Sequence, residues 1–206
     1  MRRGVFRHAL DLHAAGHPVV LLGDYVDNGP RPNDAGFVRE VFAFCREAGA
    51  VPLVGNHDLA YLFPAEERFR RQGYEPASAD ALAEAYAEAA DLLRFAHLVD
   101  GRYLLTHAGV SHAYICALEG HYGVAGPAEL VRYTNEARPR ELFYCSPVDG
   151  GSDPFSGPLW LRLPQYHGVY RSAGITQVVG HSSQSTIRMR HNLLMVDVQL
   201  PLLLEW

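Results

Sequence analysis

The stretch Gly23-Asp24-Tyr25-Val26-Asp27-Asn28-Gly29-Pro30 directly follows the apolar run at residues 19–22. A short β-branched run that stops at glycine is typical of a buried strand followed by a loop. This loop places two carboxylates, those of Asp24 and Asp27, immediately after the strand. In open α/β sheets, ligands bind beyond the carboxyl ends of the strands. The pattern therefore predicts an α/β fold in which this loop belongs to a binding crevice.

Three more polar loops follow apolar runs in the same way. They are Gly55-Asn56-His57-Asp58, Thr106-His107-Ala108-Gly109 and Gly180-His181-Ser182. The sequence predicts that one side chain from each of the four loops converges on a single crevice: Asp24, Asn56, His107 and His181. Oxygen donors mixed with imidazoles suit a divalent transition ion such as Mn, Fe, Zn or Co. Any one of these turns is more often an ordinary loop, so it is their joint occurrence that favours a metal site.

The composition is that of an ordinary globular protein. The 206 residues are 48% hydrophobic and 20% charged, which fits a single domain spanning 1–206. A net charge of −5 argues against a nucleic-acid partner, although bound cations can still attract a phosphorylated substrate. The sequence contains neither an apolar run of membrane-spanning length nor a hydrophobic segment typical of a signal peptide. We therefore expect a cytoplasmic protein without a membrane partner, and the oligomeric state stays open.

Helical patterns flank the first two apolar runs. Residues 2–15 predict an amphipathic helix. Asn33 or Asp34 can cap a second helix, which Gly49 would end. Residues 64–96 have a helical composition and predict a helical insertion, either a cap over the site or a surface feature. Strands and helices thus alternate, as they do in βαβ units.

The second half of the sequence contains clearer strand signals than helix signals. Asp100-Gly101 predicts a tight hairpin that leads into the third polar loop. One helix is predicted near residues 127–136. Residues 186–190 and 193–198 predict two strands joined by a turn.

The four polar loops resemble the sequence blocks of the calcineurin-like metallophosphoesterases. The blocks are Gly-Asp-Tyr-Val-Asp-x-Gly, Gly-Asn-His-Asp, Thr-His-Ala-Gly and Val-Val-Gly-His-Ser. They are most similar to the branch that holds phosphoprotein phosphatases and symmetrical dinucleoside-tetraphosphate hydrolases. The resemblance spans residues 17–62, 98–110 and 158–200. It implies an α/β fold with two sheets packed face to face and flanked by helices.

The resemblance also implies a metal site. Asp24 would bridge two divalent metal ions, and the second ion would be completed by Asn56, His107 and His181. A hydroxide on the metal would attack phosphorus in line. Two cations neutralise the phosphate, lower the pKa of bound water and stabilise both the attacking and the leaving oxygen. The implied activity is metal-dependent hydrolysis of a phosphomonoester or a phosphoanhydride.

The resemblance also implies a proton donor in the site. His57 would protonate the leaving oxygen, and Asp27 would hold its imidazole in the required orientation. At Asn28 the sequence departs from the branch, which usually has arginine there. Arginine binds phosphate through a charged fork, whereas asparagine offers a neutral amide. Arg31 or Arg162 could replace it, and the departure weakens the case for phosphoprotein substrates.

The resemblance lacks its first block. The family begins with Asp-x-His-Gly, whose Asp and His complete the first metal site, and we expect that block just upstream of Met1. In that case the first strand of the fold is missing from these residues. Asp11-Leu12-His13 is a poor substitute, because residues two apart on a helix point about 200° away from each other.

Three classes of substrate and one non-enzymatic role stay open. The expected substrate is a phosphorylated small molecule, a nucleotide or a phosphoprotein. Dinucleoside polyphosphates are the alternative substrate class. A catalytically impaired relative would instead act as a metal- or phosphate-binding module. Metal content discriminates between these alternatives, since two ions per chain favour the enzyme.

Overall fold

The structure, a computed structural model, describes residues 3–27, 32–162, 168–198 and 203. Contacts within the chain divide it into two compact units. The first unit comprises residues 1–94 with 199–206, and the second comprises residues 95–198. Each unit contains helices and one sheet, so the predicted α/β class is confirmed. That residues 1–206 are one domain with an insertion at 64–96 stays a prediction.

The first unit begins with two helices that share an aromatic contact. Helix α1 spans Arg3–Ala14 and helix α2 spans Ala35–Ala48. The Phe6 ring of α1 is buried and meets the ring of Phe37 edge-on, with 5.6 Å between centroids. Helix α2 begins at Asp34, whose side chain accepts a hydrogen bond from the amide of Phe37. It ends at Gly49, which has a left-handed φ of 66°, as the sequence predicts.

The sheet of the first unit is short. Strand β1 (Val20–Leu21) pairs in parallel with strand β2 (Val51–Pro52). The ladder continues one step further, because the amide of Leu53 donates to the carbonyl of Leu21 over 2.8 Å. Both strands are shorter than the predicted runs at 19–22 and 51–54. Beyond this point the chain leaves extended geometry, since Gly23 has a φ of 92°.

Two further helices follow in the first unit. Helix α3 spans Leu59–Leu62 and helix α4 spans Ala79–Glu88. Two short 3-10 turns, Glu67–Phe69 and Pro76–Ser78, lie between them. Helix α4 packs on α2 through the rings of Tyr86 and Phe42, whose centroids are 5.4 Å apart.

A five-stranded sheet forms the second unit. Its strands are β3 (Ala96–Val99), β4 (Tyr103–Thr106), β5 (Thr176–Val179), β6 (Arg188–Arg190) and β7 (Leu193–Met195). The spatial order is β3-β4-β5-β7-β6, with parallel pairing in the centre and antiparallel pairing at both edges. Residues 100–102 join β3 to β4, with φ values of 51° at Asp100 and 64° at Gly101. The predicted hairpin is therefore confirmed.

Two helices and a 3-10 turn complete the second unit. Helix α5 spans His112–Tyr122, helix α6 spans Gly126–Ala137, and the turn spans Arg140–Phe143. Helix α6 was predicted near 127–136, whereas α5 was not predicted. Both contribute to one buried cluster, in which Leu118 and Leu130 lie with Leu104 of β4. Among the residues that the structure describes, no helix has both the length and the apolar character needed to cross a bilayer.

Candidate functional site

The loops after β1 and β2 touch each other in the first unit. A side chain on Gly23 would overlap the backbone of Gly55, and a side chain on Gly55 would overlap the amide and the carboxylate of Asp24. Only glycine permits this close approach of two backbones. The two loops therefore have little freedom to move past each other.

A buried carboxylate joins these loops. Asp58 is 0% exposed, and its Oδ2 accepts hydrogen bonds from the amides of Asp24 (2.8 Å) and Gly55 (2.7 Å). Its Oδ1 accepts from the amide of Tyr25 (2.9 Å) and the hydroxyl of Tyr86 (2.6 Å). Burial and the neighbouring charge of Asp24 raise the pKa of Asp58, against the lowering effect of these hydrogen bonds. Asp58 thus ties the first polar loop to the second.

Asp24 is held from two sides. Its amide donates to Asp58, and its carboxylate Oδ1 accepts from the amide of His57 over 3.1 Å. Its φ is 56°, in the left-handed region that residues other than glycine seldom occupy. Asn56 belongs to the same pair of loops and is 2% exposed. These hydrogen bonds place Asp24 beside the second polar loop.

His57 lies beside Asp27, which also has a left-handed φ of 56°. The Nδ1 of His57 is 3.3 Å from Oδ2 of Asp27, whose side chain is 1% exposed. The other carboxylate oxygen, Oδ1, accepts from Asn33 Nδ2 (2.6 Å) and from the Tyr61 hydroxyl (3.0 Å). The hydrogen bond to Asp27 raises the pKa of His57; burial opposes this, and the charge of Asp24 adds to it. The carboxylate of Asp27 therefore favours the protonated form of the His57 imidazole.

The two predicted histidine ligands meet in the second unit. His107 follows β4 and His181 follows β5, and these strands pair in parallel with Thr106 opposite Val179. The Nε2 of His107 is therefore only 3.1 Å from the Nδ1 of His181. His107 is 2% exposed, and His181 has a φ of 63°. The carboxyl ends of adjacent parallel strands bring these two imidazoles together.

This spacing suits a shared metal ion. Imidazole nitrogens bind zinc at about 2.0–2.1 Å, so neighbouring ligands on one ion have nitrogens about 3.0–3.4 Å apart. The 3.1 Å between His107 and His181 falls in that range. His107 and His181 each offer one imidazole nitrogen at this spacing. Imidazole nitrogens suit divalent transition ions such as Mn, Fe, Zn or Co.

A buried amide supports the third polar loop. Gln177 of β5 is 0% exposed, and its Oε1 accepts from the amide of Val110 over 2.8 Å. Its Nε2 donates to the carbonyls of Val110 (3.1 Å) and Tyr170 (2.9 Å). The loop that contains His107 is therefore anchored shortly after its glycine. The sequence alone predicts no role for Gln177 or for Asp58.

The remaining candidate site residues belong to other parts of the chain or fall outside the described residues. Asn28 and Arg31 fall outside the described residues. Arg162 is exposed. It follows Leu161, whose side chain would be in van der Waals contact with a methyl group added at Gly109. Asp11 and His13 both belong to α1, and the ring of His13 meets that of Phe44 edge-on.

Comparisons with known proteins address the family. No curated protein matches the sequence. The sequence model of the family described as calcineurin-like phosphoesterase matches residues 4–184, which include all four polar loops. This family suggests a hydrolase of phosphoesters and typically uses divalent metal ions. Because the match covers most of the 206 residues, the chain belongs to the calcineurin-like phosphoesterase family.

Proposed function

We propose that the protein is a metal-dependent phosphoesterase that hydrolyses a phosphomonoester or a phosphoanhydride. Family membership supports the reaction class. The observation on which the proposal depends is the 3.1 Å separation between the ring nitrogens of His107 and His181. Two imidazoles that close either share a proton or ligate one cation, and the family favours the cation.

The proposed ligands come from all four polar loops. By the resemblance of the motifs to those of the family, Asp24, Asn56, His107 and His181 would hold a divalent ion. We propose manganese as the ion, and Asp24 would be one of its ligands. When bound, such ions supply a Lewis acid that polarises the phosphate and lowers the pKa of water.

His57 is the proposed proton donor to the leaving oxygen. Its Nδ1 faces Asp27 over 3.3 Å, which leaves Nε2 as the nitrogen that can donate to a substrate. The hydrogen bond to Asp27 raises the pKa of His57, which favours the protonated imidazole that a general acid requires. Asp27 is itself fixed by Asn33 and Tyr61, and therefore orients the ring without turning away.

The substrate within this class is a phosphorylated small molecule, a nucleotide or a phosphoprotein. The similarity of the motifs to phosphoprotein phosphatases and dinucleoside-tetraphosphate hydrolases supports these candidates. Asn28 stands where the phosphatase branch usually has arginine, which favours the nucleotide over the phosphoprotein. Turnover of a dinucleoside tetraphosphate, compared with that of a phosphopeptide, tests this preference.

Hydrolysis of an aryl phosphate with added Mn²⁺ tests the proposal itself. Asp24→Asn removes the charge of a proposed ligand while preserving its shape, and we expect turnover to fall by ~1000-fold or more. Asp11→Asn, the same change on the exposed face of α1, should leave turnover unchanged. Full activity of the Asp24 variant would refute the assigned site. Mn²⁺ binding by the wild type without turnover of any phosphoester would instead favour a binding module.

A further inference from the structure

We propose that Tyr86 and Asp58 are positioning residues that hold Asp24 in the conformation needed to bind metal. This inference rests on the proposed function, because Asp24 is one of the proposed ligands. It adds two residues to which no ligand or catalytic role is assigned. Both are 0% exposed, and Tyr86 comes from α4, outside the four polar loops.

The hydroxyl of Tyr86 completes the set of donors around Asp58. Within the part of the chain that the structure describes, the Asp58 carboxylate accepts from three backbone amides and the Tyr86 hydroxyl. A buried carboxylate needs such hydrogen bonds to stay in place. The bond from Tyr86 to Oδ1 is the shortest of the four at 2.6 Å. Without it, the amide of Tyr25 would be the one donor left to that oxygen among the described residues.

The position of Asp58 determines that of Asp24. The amide of Asp24 donates to Oδ2 of Asp58, and this bond opposes the tendency of a residue with a φ of 56° to return to a commoner conformation. Gly55 lies so close to Asp24 that the loops cannot compensate by sliding. A displaced Asp58 would therefore displace the Asp24 carboxylate.

The Tyr86 ring is itself firmly held. Its centroid lies 5.4 Å from that of Phe42 and 6.3 Å from that of Tyr61, in edge-on and stacked contacts respectively. Tyr86→Phe would preserve these contacts and remove only the hydroxyl. The variant thus isolates the hydrogen bond from the packing of α4.

Binding of Mn²⁺ alone provides the first test, with free Mn²⁺ measured by electron paramagnetic resonance. The measurement is made at a temperature at which circular dichroism shows every variant to be folded, so that a loss of stability alone leaves the dissociation constant unchanged. We expect Tyr86→Phe to raise the dissociation constant ~10-fold, as befits the loss of one hydrogen bond to a charged group. Tyr114→Phe, the same change at a tyrosine buried in the second unit, should stay within about twofold of the wild type.

Amide hydrogen exchange without metal provides the second test. Exchange at Asp24, Tyr25 and Gly55 should be ~10-fold faster in Tyr86→Phe and unchanged in Tyr114→Phe, because only the first change frees the Asp58 carboxylate. Normal Mn²⁺ affinity in Tyr86→Phe would overturn the positioning role while leaving the proposed function intact. A wild type that binds no Mn²⁺ would overturn the proposed function and the metal role of Tyr86 together. Unchanged exchange would overturn the claim that Tyr86 restrains the loops.

Discussion

Replacement of the Asp58 carboxylate by an amide should destabilise the first unit by about 3 kcal/mol. In Asp58→Asn the new NH₂ group must face either the two amides at Oδ2 or the amide and hydroxyl at Oδ1. The second orientation is better, because the hydroxyl of Tyr86 can turn and accept. It still leaves the amide of Tyr25 unpaired, at a cost of about 1–3 kcal/mol.

The two remaining amide bonds would weaken as well. They change from bonds to a charged acceptor to bonds to a neutral one, a loss of about 1 kcal/mol each. Since burial raises the pKa of Asp58, the neutral residue also escapes a desolvation cost, which brings the net loss to about 3 kcal/mol.

Urea unfolding followed by circular dichroism, with metal removed by EDTA, measures this loss. With a denaturant slope of ~2 kcal/mol/M, the midpoint should fall by ~1.5 M. Asp11→Asn provides the matched control on an exposed helix face and should shift the midpoint very little. A loss below about 1 kcal/mol in Asp58→Asn would refute the view that its carboxylate ties the two loops together.

Two further predictions concern the loop glycine and the proposed proton donor. Gly55→Ala places a methyl group against Asp24 and should lower the free energy of unfolding by about 1–3 kcal/mol. Gly120→Ala, in open space on α5, should instead raise it by about 0.5–1 kcal/mol. Thermal unfolding measures both effects, and equal effects would contradict the close approach of the loops. In the metal-free protein, His57 should titrate by NMR above the ordinary imidazole pKa of about 6.5, and Asp27→Asn should lower that pKa because it removes the main cause of the rise. Since the folded pKa is raised, the stabilisation from the His57–Asp27 pair is fully present below pH ~6.5 and is lost as pH increases through the folded value. A His57 pKa that is the same in both proteins would exclude Asp27 as the cause.

Much of the fold could be predicted because its signals are local. The side chain of Asp34 and the conformational freedom of Gly49 fix the two ends of α2 within the helix itself. Asp100-Gly101 likewise specifies a tight turn without reference to the rest of the chain. Helix α5 also has such end residues, Ser111 and Gly123, but its sequence, His112–Tyr122, has apolar and polar residues on every side, so no amphipathic pattern predicts it. Its burial in the cluster with Leu104 is a tertiary effect.

The candidate site likewise has features that the sequence predicts and features that depend on the tertiary structure. The polar loops were recognisable because each follows a strand, and the parallel pairing of β4 with β5 then brings His107 and His181 together. The roles of Asp58 and Gln177 depend instead on partners that are distant in sequence. Asp58 binds amides from the first polar loop, and Gln177 binds the backbone of Val110. Neither residue type reveals such a partner without the coordinates.

The left-handed backbone at Asp24, Asp27 and His181 has a consequence for attempts to make the protein more robust. Glycine adopts such φ values with no steric penalty, whereas a residue with a side chain pays roughly 1 kcal/mol or more. A stabilisation screen that ranks variants only by melting temperature would therefore tend to select glycine at these three positions. Each such gain in heat resistance would remove a carboxylate or an imidazole from the polar loops, so an engineered, hardier form of this protein should be built from changes elsewhere.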